Sequence, residues 1–174
     1  MMNDLFAQRV NPDVSSALAG LFPQDPNPTA VTFAAGSPNE QLFPVKEVQA
    51  AFNTAIDTQG AHLFQYQSAQ GNSALREKLV TRIAKWGNVT TTADNILLTV
   101  GGQQGVELVA KTLLDPGDDI IVEVPTYIGA LAAFDLYQPH YHAVPLQADG
   151  LDLDALETTL QQHPNVKLLY TVPD

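Results

Sequence analysis

The feature that most constrains this chain is the run Ile96-Leu97-Leu98-Thr99-Val100-Gly101-Gly102-Gln103-Gln104-Gly105-Val106-Glu107-Leu108. Its first five residues are apolar or β-branched, the composition of a buried strand. The glycine pair breaks that strand. From Gln103 the apolar spacing becomes helical, with Val106, Val109, Ala110, Leu113 and Leu114 on one face. A strand, a glycine turn and a helix start gather backbone N–H groups at the positive end of a helix dipole. Such an end suits an anion, most often a phosphate. Taken alone, the motif reads equally well as a tight turn that binds nothing.

The alternation continues downstream. The helix predicted over 103–114 stops at Asp115-Pro116-Gly117-Asp118, and Ile120-Ile121-Val122-Glu123-Val124 reads as the next strand. Pro125-Thr126 opens a helix to about Tyr137, and Tyr141 to Leu146 form a strand. Asp152 caps a helix carrying Leu153, Leu156 and Leu160, and Lys167-Leu168-Leu169-Tyr170-Thr171-Val172 is a last strand. This order predicts an α/β fold, a three-layer α/β/α arrangement with a mostly parallel sheet.

Upstream the pattern is less regular. Loosely helical pieces over 3–21 break at Asn11-Pro12, and Pro23, Pro26 and Pro28 make an extended connector. Val31-Thr32-Phe33 is a short strand candidate, followed by a loop from Gly36-Ser37-Pro38 to Pro44. Val45, Val48, Phe52, Ala55 and Ile56 mark the buried face of a helix. Leu75, Leu79, Ile83 and Trp86 mark that of a second, beyond an irregular stretch from His62 to Asn72. Thr91, Thr92 and Asp94 are turn and capping residues.

Bulk properties exclude several function classes. The formal net charge of −11, with only eight scattered Lys and Arg, speaks against nucleic-acid or anionic-membrane partners. There is no cysteine for a disulfide, thiolate site or nucleophile. No basic-then-apolar leader opens the chain, and no apolar stretch nears the roughly 18 residues of a membrane span, so a cytoplasmic protein is expected. His140 and His142 alternate along one strand face without a third ligand at a useful spacing, so no metal site is expected. Asp115, Asp118 and Asp119 surround Pro116-Gly117 and read as a turn. No Gly-x-Ser-x-Gly elbow is present, and the glycines fit a dinucleotide fingerprint poorly.

Several motifs occur together and in order. They are Phe33-Ala34-Ala35-Gly36-Ser37-Pro38, Leu42-Phe43-Pro44, Gln65-Tyr66-Gln67-Ser68-Ala69-Gln70-Gly71 with Leu75-Arg76, and Thr99-Val100-Gly101-Gly102-Gln103-Gln104-Gly105. They continue with Leu114-Asp115-Pro116-Gly117-Asp118, Glu123-Val124-Pro125-Thr126-Tyr127 and Tyr170-Thr171-Val172-Pro173. This succession resembles the N-terminal part of class I/II aminotransferases, pyridoxal-phosphate enzymes of fold type I, and in particular the subgroup with 2-aminoadipate and kynurenine aminotransferases.

The resemblance implies pyridoxal 5'-phosphate as cofactor, amino acids and 2-oxo acids as substrates, and a homodimer. Gly101, Gly102 and Gln103 would hold the cofactor phosphate, and Tyr127 would stack on the pyridine ring. Tyr66 would reach the partner's cofactor phosphate. Gly36 and Ser37 would lie beside the substrate α-carboxylate. The implied division is an N-terminal segment with the substrate-side loop over 1–44 and the first part of the large cofactor domain over 45–174. The chain's lysines are Lys46, Lys78, Lys85, Lys111 and Lys167, and none sits in a Ser/Thr-rich turn like that around the family's Schiff-base lysine. That lysine falls later in the family, so no catalytic residue is assigned here, and the chain is expected to be an inactive fragment of a larger enzyme. A same-fold lyase or synthase, and the aminotransferase-like effector domain of a transcription regulator, share these motifs.

Overall fold

The computed structural model describes Ala7, Arg9 and residues 36–173. The helical pieces expected over 3–21, the proline connector and the strand expected at Val31-Thr32-Phe33 therefore lie outside the described residues, Ala7 and Arg9 apart. The chain forms two compact units, one of Gly36–Thr99 and one that includes the residues from Val100 onward.

The first unit contains helices α1 (Val45–Gln59) and α2 (Ser73–Gly87), with 3₁₀ turns at Glu40–Leu42, Gly60–Phe64 and Ala93–Asn95. Asn72 caps α2, its side chain accepting from Leu75 N–H at 3.0 Å, and Asn88 ends the helix in the left-handed region. The segment after α2 is latched to the loop before it. Leu98 N–H donates to Gln70 O at 3.0 Å, and the Gln70 amide donates to Asp94 O at 3.2 Å. Arg76, buried, donates from Nη1 to Ala93 O at 2.6 Å. Gly71 has φ +94, and a Cβ there would collide with the Leu98 side chain.

Three expectations fail in this unit. Residues 96–100 form no strand: Leu97 and Val100 are exposed, Val100 lies in a bend, and Leu98 N–H bonds to the loop carbonyl of Gln70. A β-branched run becomes a strand only where it joins a ladder, and residues 96–100 are not among the strands of the described sheet. The apolar stripe of α1 is not buried, since Val45, Val48 and Phe52 are exposed. On α2, Leu75 and Trp86 are likewise exposed, and the Trp86 ring carries the Arg82 and Lys85 cations at 5.9 and 5.6 Å.

The second unit is built on a four-stranded sheet. Its elements are α3 (Gly101–Leu113), β1 (Asp119–Val124), α4 (Ile128–Phe134) with a 3₁₀ extension Asp135–Tyr137, β2 (His140–Gln147), β3 (Gly150–Leu151), α5 (Leu153–Gln162) and β4 (Leu168–Tyr170). The order is β3-β2-β1-β4. β1 runs parallel to both β2 and β4, and the short β3 is antiparallel to β2, so the sheet is mostly parallel as expected.

Both faces of β1 are buried, which explains its continuous apolar run. Ile120 and Val122 pack with Ala110, Leu114, Ala130 and Phe134 into the core under α3 and α4. Phe134 also meets Tyr170 edge-on, ring centroids 5.5 Å apart. Truncating a side chain this buried costs about 3–5 kcal/mol. Ile121 and Val144 are fully buried on the opposite face, where α5 packs on β2. Asp152 caps α5, accepting from Ala155 N–H at 2.9 Å. On α3, Val106, Ala110 and Leu114 turn to the core, whereas Val109 and Leu113 remain nearly half exposed. The helix expected at Pro125 begins three residues later, because the chain first passes the cis Val124–Pro125 bond and extended Tyr127. Among the described residues no helix is long and apolar enough to cross a membrane.

Candidate functional site

The chain leaves β1 at its carboxyl end through Pro125, Thr126 and Tyr127, the position where parallel α/β sheets bind ligands. Tyr127 immediately precedes α4 and is half exposed. Gly129 lies buried in the first turn of α4, so close that a Cβ there would overlap the Tyr127 ring. Only glycine leaves room for the ring in that orientation. Gly129 is a site residue that the sequence reading missed, although a small residue two places after an aromatic at a helix start was a usable signal.

The helix α3 starts at Gly101, which adopts φ +77. The Gln104 side chain folds back to accept from Val100 N–H at 2.6 Å. First-turn N–H groups of a helix have no carbonyl partner inside it, and α3 is 13 residues long, enough for an effective dipole. Gly101 and Gly102 are exposed, and nothing stands within 4 Å of where a Cβ would be. The exposed Gly102 backbone is accessible to a ligand.

A single side chain unites the two parts. Gln103 Nε2 donates to Gly129 O at 2.6 Å, partly buried, tying the start of α3 to the turn that carries Tyr127. Gly101, Gly102, Gln103 and Tyr127 thus belong to one constellation. Beside Tyr127 a crevice of about 320 Å³ is lined by Glu123, Pro125, Thr126, Leu146 and Val172. The Thr126 hydroxyl is buried without a hydrogen-bond partner among the described residues, a cost normally met by a ligand or water. Buried Glu123 accepts from Val172 N–H at 2.8 Å. Burial, and then the nearby Tyr127 and Glu123, push the Tyr170 phenol above its ordinary range, so it is neutral at physiological pH. The set fits a phosphate carried on a flat ring, with donors at the helix start, a half-exposed aromatic face and an unpartnered hydroxyl.

The other expected residues lie in the first unit. Tyr66 follows the 3₁₀ turn and is almost fully exposed, its own N–H held by Gln65 Oε1 at 2.9 Å. Gly36 has φ +59, and Ser37 beside it is exposed. Lys46 lies on α1, Lys78 and Lys85 on α2, and Lys111 on α3. Lys167 precedes β4 and pairs with Asp118 at 2.7 Å, at the end of the sheet opposite Tyr127.

At that opposite end His142 is joined by two groups that the sequence spacing did not bring together, Asp119 and His163. Asp119, His142 and His163 each offer a ligand atom, all within 4.8 Å of one another. Sequence spacing did not show this, because the three residues come from different elements. Asp115 and Asp118 do form the expected turn, with Asp115 N–H donating to Asp118 Oδ2 at 2.6 Å.

The sequence profile of aminotransferase class I and II matches residues 29–172. The 2-aminoadipate transaminase of Thermus thermophilus is 34% identical over 159 residues, which cover 91% of this chain and 38% of that protein. The crystal structure of Pyrococcus horikoshii kynurenine aminotransferase, in complex with PMP, KYN as substrates and KYA as products, matches with a TM-score of 0.84 and 29% identity. That match covers 99% of this chain and 43% of the solved one. An uncharacterized HTH-type transcriptional regulator of Escherichia coli, YdcR, is 29% identical over 153 residues, covering 87% of this chain and 32% of its own. The chain spans less than half the length of each of these relatives.

Proposed function

The chain belongs to the class I and II aminotransferase family, and from that premise we propose that the protein carrying it transfers an amino group between an amino acid and a 2-oxo acid with pyridoxal 5'-phosphate, in the cytoplasm and as a homodimer. When bound, the cofactor supplies the electron sink for breaking bonds at the amino acid's α-carbon. The backbone N–H groups of Gly102 and Gln103, beside the Gly101 turn, receive the phosphate dianion, favoured there by the α3 dipole. The Tyr127 ring would hold the cofactor ring by stacking, and Gly129 leaves the Tyr127 ring the room it occupies. Thr126, whose buried hydroxyl has no hydrogen-bond partner among the described residues, lines the crevice that Tyr127 borders.

Tyr66 and the loop with Gly36 and Ser37 carry the finer roles. The exposed Tyr66 phenol is available to the partner subunit's cofactor phosphate. Gly36 and Ser37 lie at the substrate carboxylate, in the N-terminal segment 1–44, and 45–174 is the first part of the large cofactor domain. The Schiff-base lysine comes from elsewhere in the whole protein.

The observation that carries this reading is the 2.6 Å bond from Gln103 to Gly129, which ties a phosphate-suited helix start to the turn that carries an aromatic face. The test uses the full-length protein loaded with pyridoxal phosphate and offered a panel of amino acids with 2-oxoglutarate. Formation of glutamate and of the matching 2-oxo acid is expected. Tight cofactor binding with no amino transfer from any donor would remove the enzymatic reading.

That outcome would favour a second one. The similarity to YdcR supports an aminotransferase-like effector domain, in which the same cradle senses the cofactor or an amino acid. A full-length sequence carrying a helix-turn-helix module would identify that case.

A further inference from the structure

Three of the chain's four histidines converge on one carboxylate at the amino end of the sheet. Asp119 opens β1 and stands in register with His140, the first residue of β2. His142 lies two residues on and so on the same face. Its Nε2 is 2.8 Å from Asp119 Oδ1, and His140 Nδ1 is 3.8 Å away. His163 follows the last turn of α5, and its ring stacks on that of His142, centroids 3.7 Å apart and planes at 28°. Asp119, His142 and His163 are each only partly exposed.

We propose that Asp119, His142 and His163, with His140 as a further imidazole in reach, bind a divalent transition-metal ion of the zinc class. Two or three imidazoles with one carboxylate suit zinc-like ions, whereas calcium and magnesium take all-oxygen shells. The site is separate from the cofactor crevice, which opens off the other ends of the same strands.

The geometry states what binding requires. Zinc–nitrogen bonds of about 2.0–2.1 Å bring tetrahedral ligand atoms to roughly 3.4 Å of one another, so the His142–Asp119 pair, now at 2.8 Å, must open slightly while the wider separations, up to 4.8 Å, must close. An imidazole lone pair lies in the ring plane, so two stacked rings cannot aim at one ion. His163 must turn out of the stack. It sits at a helix end before Pro164, where rotation about its side-chain bonds leaves the helix intact. His142 already points Nε2 at Asp119, and the ion takes the place of the proton between them. The neighbouring ammonium of Lys167 is engaged by Asp118 at 2.7 Å and Leu113 O at 3.4 Å. Binding would pin the starts of β1 and β2 to the end of α5.

The test uses the full-length, cofactor-loaded protein, freed of metal with a chelator and titrated with zinc chloride by calorimetry and with Co²⁺ by visible absorption. One equivalent bound at micromolar affinity or tighter is expected, with the Co²⁺ bands of a four-coordinate nitrogen–oxygen site and a higher melting temperature with zinc. His163→Ala, at the helix end, should weaken zinc binding about tenfold or more while leaving the metal-free melting temperature near that of the unaltered protein. Asp119→Asn should weaken it likewise, and His62→Ala, a change in the other unit, should not. Binding weaker than micromolar, or binding that survives both His163→Ala and Asp119→Asn, would overturn the proposal.

Discussion

The side-chain amide of Gln103 reaches the main-chain carbonyl of Gly129 at 2.6 Å, joining the first turns of α3 and α4. Replacing Gln103 with Leu keeps the bulk and removes the donor. A partly buried hydrogen bond is worth about 1 kcal/mol net, or roughly a fivefold change in a dissociation constant. Gln103→Leu in the full-length protein should therefore weaken pyridoxal phosphate binding about fivefold in a fluorescence titration. Unchanged affinity would mean that the link does not orient the cradle.

Gly129→Ala places a methyl group where the Tyr127 ring lies. Overpacking of this kind costs about 1–3 kcal/mol, and the displaced ring should weaken cofactor binding as well. Adding Tyr127→Ala to Gly129→Ala should restore most of the lost stability, because the colliding partner is gone. A urea-denaturation cycle measures this, and strict additivity of the two changes would contradict the contact.

Gly71→Ala should destabilise the first unit by about 1–3 kcal/mol, through both its positive φ and the collision with Leu98. Asn72→Ala, one residue on, removes only the α2 cap, a loss of about 1 kcal/mol. Protease susceptibility of 36–99 in the two variants should rank them in that order.

Asp118 and Lys167 give a pH signature. The hydrogen bond from the Lys167 ammonium, and then that from Asp115 N–H, hold the Asp118 carboxyl below the usual aspartate range. The same bond raises Lys167. The lowered carboxyl contributes stability that is full above the unfolded value of about 3.9 and is lost as pH falls through the lower folded value. The raised amine contributes below about 10.4 and loses its contribution as pH rises through the higher folded value. The difference in urea midpoint between the unaltered protein and Asp118→Asn should hold level from about pH 5 to 9 and shrink toward both extremes. A difference undiminished in strong acid would exclude the ion pair as its source.

Much of the second unit was legible because its signals are local. The apolar run Ile120-Ile121-Val122 stands for a strand buried on both faces, and Asp152 caps the helix that follows it. Gly102, Gln103 and Tyr127 were found as separate motifs, while the Gln103 bond that unites them spans 26 residues and has no periodicity to betray it. Asp119, His142 and His163 were missed for the same reason, since spacing along one strand shows only alternate neighbours. Ile96 to Val100 misled in the other direction. Its composition was that of a strand, but Leu98 N–H bonds to the loop carbonyl of Gln70, a contact that composition does not reveal. The exposed stripe of α1 shows equally that an apolar face is a property of sequence and its burial a property of surroundings.

The bond from Val172 N–H to the Glu123 carboxylate also sets an aperture. Ladder pairing between β1 and β4 ends at Val122 and Tyr170, and beyond that point a side chain, not backbone, spans the two strands. Glu123 and Val172 both line the crevice beside Tyr127. The contact that closes this end of the crevice thus belongs to a carboxylate whose side-chain length is a variable separate from Gly102, Gln103 and Tyr127.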